Sequence, residues 1–167
     1  SQRSLPVTRC SDGLPAMRLA VALQRKLHSS PHTDLAEAMN NLGFMLEGAG
    51  EYQESEALFR EALAMKRFLL GENHTEIALG LNNIATALSD QKKYRESEAM
   101  YREAIAIQHK LLGDDHPDIA QALNNLAFVL HDKGDAAGAL DMMRESIEMY
   151  RRTVGAEHAD VARGMSN

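Results

Sequence analysis

The chain has 167 residues, a formal net charge of −6, 44% hydrophobic and 25% charged residues, and one cysteine. It is too apolar for a disordered chain, and no apolar run approaches the ~18 to 20 residues of a membrane span, so disorder and a transmembrane segment are both excluded. Ser1 to Thr8 lack the apolar stretch of a secretory signal, and a start without Met points to a removed N-terminus. Cys10 has no internal disulfide partner, which fits a cytoplasmic location.

Residues 1–13 read as an irregular basic flank. Across residues 1–31, Arg3, Arg9, Arg18, Arg25 and Lys26 stand against Asp12 alone, so the acidic excess lies in residues 32–167. From His32 a 42-residue segment recurs without a gap, over 32–73, 74–115 and 116–157, and a fourth copy begins at His158 and stops at Asn167. Residues 14–31 align with the second half of such a unit, Met17 falling where Phe59 falls and Ala20 where Ala62 falls.

Each unit shows helical periodicity twice. In the second copy a first helix is expected from about Glu76 to Asp90, with Ile77, Ala78, Leu81, Ile84, Ala85 and Leu88 on one stripe, and a second from about Tyr94 to Leu112. Gln91 to Lys93 make the turn, where the flanking copies place Gly48 to Gly50 and Lys133 to Gly134. Gly71, Gly113 and Gly155 end the second helices. Asp34, Glu76, Asp118 and Asp160 follow the recurring His in the first turn, where the helix dipole favours a carboxylate. Small residues, Gly43, Ala85 and Ala127 against Ser55, Ser97 and Ala139, then Ala62, Ala104 and Ser146, permit close helix crossings, with Phe59, Tyr101 and Met143 between them. In the third copy Asp135-Ala136 replaces Glu51-Tyr52 and Lys93-Tyr94, which predicts a less firmly packed turn.

The expected fold is all-α, a solenoid of antiparallel helix pairs. The strings HPDIAQALNNLAFVLHDKGD and YRESEAMYREAIAIQHKLLGDDHP carry paired Asn, an aromatic after the turn and a Gly-x-x-His-Pro junction. In these the chain resembles kinesin light chain type tetratricopeptide repeats over residues 14–167, although Thr75 and Ala159 replace the junction proline. The resemblance implies a right-handed superhelix, usually part of a larger protein, whose concave face binds peptide segments of partners. It also implies ligand contact for Asn41, Asn83 and Asn125.

The residues point the same way. On the first helices, away from the core stripe, lie Glu37, Asn41, Phe44 and Gly48; Leu79, Asn83, Thr86 and Asp90; and Gln121, Asn125, Phe128 and Asp132. A face needed only for solvation would be rich in Lys and Glu. Asn is a poor mid-helix residue, and its amide offers both donor and acceptor to an extended backbone. Asn40, Asn82 and Asn124, about 100° round the helix, either bond the neighbouring repeat or border the groove. Phe44 and Phe128 either anchor a ligand or pack at a seam.

Glu37, Asp90 and Asp132, with no ring of Lys and Arg, favour a neutral or basic peptide with apolar anchors. The acidic repeats disfavour nucleic acid. His32, His74, His116 and His158 open different repeats and cannot share a metal, and His28, His109 and His131 show no ligand spacing. Arg60-Glu61, Arg102-Glu103 and Arg144-Glu145, with Glu56 to Arg60 and Glu98 to Arg102 at i,i+4, read as a solvated outer face. No nucleophile motif, phosphate loop or dinucleotide fingerprint is present, and neither cofactor nor metal is expected. The function expected is therefore a non-enzymatic protein-binding module, most simply one part of a larger signalling, transport or scaffolding protein. The alternative is a self-assembly element that stacks through its uncapped ends, since copy four stops before the core position of Leu42, Ile84 and Leu126.

Overall fold

A computed structural model describes residues 13–28 and 30–153. Seven helices account for most of them: α1 Leu14–Leu27, α2 Thr33–Ala49, α3 Tyr52–Leu70, α4 Thr75–Asp90, α5 Tyr94–Leu112, α6 Pro117–Lys133 and α7 Ala136–Thr153. No strand occurs among the described residues. Copy four, Gly155 and Cys10 lie outside them.

Capping explains the helix limits. His32, His74 and His116 each adopt an extended backbone before a first helix, and each accepts at Nδ1 the backbone N–H two residues on, from Asp34, Glu76 and Asp118, at 3.2 Å. One orphan donor at each helix start is thereby satisfied. At the other end of these helices the chain reverses through a left-handed residue, Gly50 (φ 81°), Lys92 (φ 61°) or Gly134 (φ 95°). The next backbone N–H then bonds back to Leu46, Leu88 or Leu130 at 2.8 to 2.9 Å. Lys92 does this with a Cβ present, which the two glycines avoid. Asp135 offsets the missing aromatic of the third turn in another way: its Oδ1 accepts the Gly138 N–H at 3.0 Å, a side-chain cap for α7.

The chain divides into two compact units, one ending at Leu69 and one starting at Leu70. In the first, Leu35, Ala36, Met39, Leu42 and Leu46 of α2 meet Leu14 and Val21 of α1 and Leu58 and Ala62 of α3. Gly43 lies so near the Phe59 ring that a Cβ would fall 2.5 Å from Cε1. Exposed ion pairs tie α1 to α3 and the residue before it, Arg18 to Glu51 and Glu54 and Arg25 to Glu61.

In the second unit, Leu126, Val129 and Leu130 of α6 pack with Ala85 of α4, Tyr101 of α5 and Ala139 of α7. Ile119, Ala120 and Leu123 form a further cluster with Met149 and Tyr150 of α7. The small crossings carry polar bonds as well. Ser97 Oγ donates to the Ala85 carbonyl and Ser146 Oγ to the Ala120 carbonyl, both at 2.7 Å. Both hydroxyls are buried, so the bonds fix helix depth in addition to allowing close approach.

The expected solvated face needs correction at two positions. Glu56 and Glu98 are buried, each paired with the Arg one turn on, and Glu98 also accepts from Lys133 Nζ of α6 at 2.6 Å. The reason is that charge-assisted bonds from Arg60 to Glu56, and from Arg102 and Lys133 to Glu98, satisfy the carboxylates away from bulk water.

Candidate ligand-binding faces of the first helices

α4 and α6 each bury eight residues, because second helices pack against them. Only a narrow strip of each remains for solvent. On α4 that strip holds Leu79, 46% exposed, then half-buried Asn83, exposed Thr86 and Asp90. On α6 it holds exposed Gln121, half-buried Asn125 and Phe128, 44% exposed. The equivalent strip of α2, in the first unit, holds exposed Glu37 and Asn41 and Phe44, 49% exposed.

The two readings of Phe44 are not exclusive. One edge meets the buried Phe59 ring at a centroid distance of 5.2 Å and 63°, and the rest faces solvent. In the second copy the same contact is polar: Thr86 Oγ1 lies 2.8 Å from the Tyr101 hydroxyl and 3.1 Å from the Asn82 carbonyl. The Thr86 hydroxyl is therefore committed within the fold, and what it leaves to a ligand is mainly its methyl. On α6 a short relay runs along the strip. Tyr150 OH donates to Gln121 Oε1 at 3.1 Å, and Gln121 Nε2 donates to Asn125 Oδ1 at 3.0 Å. Asn125 thus has its carbonyl engaged and its amide N–H pair turned to other use.

Asn40, Asn82 and Asn124 are all half-buried. Asn82 Oδ1 is enclosed and has no hydrogen-bond partner among the described residues, and the same holds for Gln108 Oε1 on α5. Gln108, 3% exposed, was not anticipated from the sequence. The signal was available: the repeat aligns it with Lys66 and Tyr150, so one buried column changes chemistry from copy to copy. Although Asp90 is exposed as a residue, partial desolvation of its carboxyl raises it from its ordinary value.

The histidines divide into two groups. His74 and His116 serve as caps, as His32 does. His28, expected to have no ligand neighbour, instead stacks on His32 with ring centroids 3.8 Å apart and 15° between planes. The i,i+4 spacing of the two was visible in the sequence, but a helix end separates them, so helical spacing did not apply.

Among the described residues no helix is long and apolar enough to cross a membrane. Comparison with curated proteins yields no match. Solved structures do match. The chain is similar to the nearly identical TPR-like repeats of a Podosopora anserina protein of kinesin light chain type, with a TM-score of 0.80 at 20% identity over 93% of this chain and 74% of that one. It is similar to BtubC (BKLC) from P. vanneervenii, with a TM-score of 0.76 at 20% identity over 94% of this chain and 63% of that one. The N-terminal domain of stress-induced protein-1 from C. elegans matches with a TM-score of 0.59 at 17% identity, over 80% and 94% of the two chains. At these identities the likeness is one of fold, a helical-repeat solenoid. A model of the tetratricopeptide repeat matches residues 9–67, 34–108, 76–152 and 118–167, and the chain belongs to that family of helical repeats, which generally mediates protein–protein interaction.

Proposed function

We propose that the chain is a non-enzymatic peptide-binding module of the cytoplasm that takes extended segments on the open strips of its first helices. The observation that carries this is the composition of what α4 and α6 leave uncovered. Leu79 and Phe128, close to half exposed, flank the amides of Asn83 and Asn125, while eight residues of each helix are packed. Apolar anchors beside amide donors and acceptors suit a peptide whose side chains alternate between contact and solvent. Thr86, Gln121 and Asn125 are held by hydrogen bonds within the fold, so little side-chain entropy is lost on binding. Asn41 and Phe44, with Glu37, form the corresponding strip in the first unit.

Asp90, Asp132 and Glu37 give these strips acidic flanks, which favours neutral or basic ligands. A peptide-library screen tests this. Enrichment of neutral or basic peptides with apolar anchors is expected, and a set of exclusively acidic hits would contradict it.

A second reading has its own observation. Leu19, Leu23 and Leu27 of α1 are 61%, 56% and 75% exposed at i, i+4 and i+8, an apolar stripe that supports self-association through α1. Concentration-dependent size in sedimentation, abolished by Leu23→Glu and unaffected by Asn83→Ala, would favour it. A monomer at all concentrations would dismiss it.

A further inference from the structure

We propose that His28, His32 and Asp34 form a site for a divalent transition metal, zinc in particular, which pins the end of α1 to the start of α2. One ligand atom from each of the three side chains can be chosen so that all lie within 4.8 Å of one another. His32 Nδ1 is the unprotonated nitrogen, its one in-plane lone pair now accepting the Asp34 N–H and open to exchange for an ion, and it stands 3.7 Å from Asp34 Oδ2. Ligands of a tetrahedral zinc ion are separated by about 3.3 Å, given metal distances of roughly 2.0 to 2.2 Å, so this pair needs little movement. The third ligand is His28, whose ring lies within reach on the other side of the stack; because an ion sits in the plane of the imidazole that binds it, this partly exposed side chain turns out of the stack to supply its nitrogen. Two imidazoles and a carboxylate satisfy the preference of zinc for nitrogen and oxygen donors and leave a fourth position for water. All three residues are at least partly exposed, so the ion has an open path.

The repeat supplies an internal control. His116 Nδ1 and Asp118 Oδ2 stand at the same 3.7 Å, and His116 caps its helix in the same way. What that junction lacks is the second imidazole, because Leu112 stands where His28 stands in the first copy, and Leu70 likewise precedes His74. A pair of ligands recurs, and only the first described junction completes a triad. The cap bond at His32 would be exchanged for a metal bond, and the helix start would then be held by the ion. The geometry also joins consecutive helices, so metal binding would favour the folded state of the first unit.

The test is calorimetric titration of the intact chain with zinc chloride in a non-chelating buffer, alongside His28→Ala and His116→Ala. One zinc per chain is expected for the native protein, with affinity at least tenfold weaker in H28A and unchanged in H116A. Zinc should also raise the melting temperature of the native chain but not that of H28A, while magnesium should do neither. Native protein that takes up no zinc, or H28A that binds as tightly as native, would overturn the proposal. Equal losses in H28A and H116A would overturn it too.

Discussion

Gly43→Ala tests how the first-unit core is specified. The added Cβ would meet Phe59 Cε1 at 2.5 Å and Cδ1 and Cζ at 2.9 Å, so the ring must withdraw by roughly 0.9 Å to reach ordinary contact. Phe59 is 0% exposed and already braced edge-on by Phe44. At a fully buried ring overpacking costs about 2 to 3 kcal/mol, the upper part of its usual range, against a gain of about 1 kcal/mol from replacing a mid-helix Gly by Ala. The net expectation is a destabilisation of about 1 to 2 kcal/mol, or a fall of roughly 2 to 8 °C in melting temperature for a chain this long. Urea unfolding of G43A, F59M and the double variant measures it. The third copy pairs Ala127 with Met143, so Met at position 59 should absorb the new methyl, and the double variant should be more stable than the two single effects predict by about 1 kcal/mol. A G43A chain as stable as the native one, or strictly additive effects, would refute the reasoning.

Lys92→Gly should stabilise the second unit by about 0.5 to 1 kcal/mol, since the left-handed φ of 61° strains a residue with a Cβ, and an unchanged urea midpoint would count against it. Ser97→Ala should cost about 1 kcal/mol by removing the buried bond that ties α5 to the Ala85 carbonyl, read in the same titration. For Asp90 the folded carboxyl titrates above its unfolded value, so the folded state holds its proton longer and stability is lost as pH rises through that window. Asp90→Asn should therefore be more stable than native at pH 7 and no different well below the carboxylate range, whereas a benefit independent of pH would point to another cause.

Much of the fold could be read from the residues because each repeat states its limits twice, once in apolar spacing and once in punctuation. The α4 stripe from Ile77 to Leu88 and the turn at Gln91 to Lys93 are examples, and Gly71 and Gly113 close α3 and α5 with positive φ as their type suggests. What escaped was the partnering of side chains from distant positions. Thr86 looks like an open polar residue until Tyr101, 15 positions on, takes its hydroxyl. Glu98 looks solvated until Lys133 reaches it from the next repeat. His28 fits no helical pattern because the chain bends between it and His32, and stacking depends on that bend. The strips themselves were legible, because a face left uncovered by packing is the complement of the core stripe.

The decisive measurement concerns a peptide selected by library screening on the native chain. Its affinity should be determined for the native protein, for Asn83→Ala/Asn125→Ala and for Asn41→Ala, with circular dichroism and melting temperature recorded for each. Two amide contacts at about 1 kcal/mol each predict a loss on the order of thirtyfold in the double variant of the second unit at unchanged fold. Asn41→Ala reports separately on the first unit, with a loss of about fivefold for a peptide that engages α2. Undiminished affinity in both variants, with the helices intact, would show that ligands bind elsewhere.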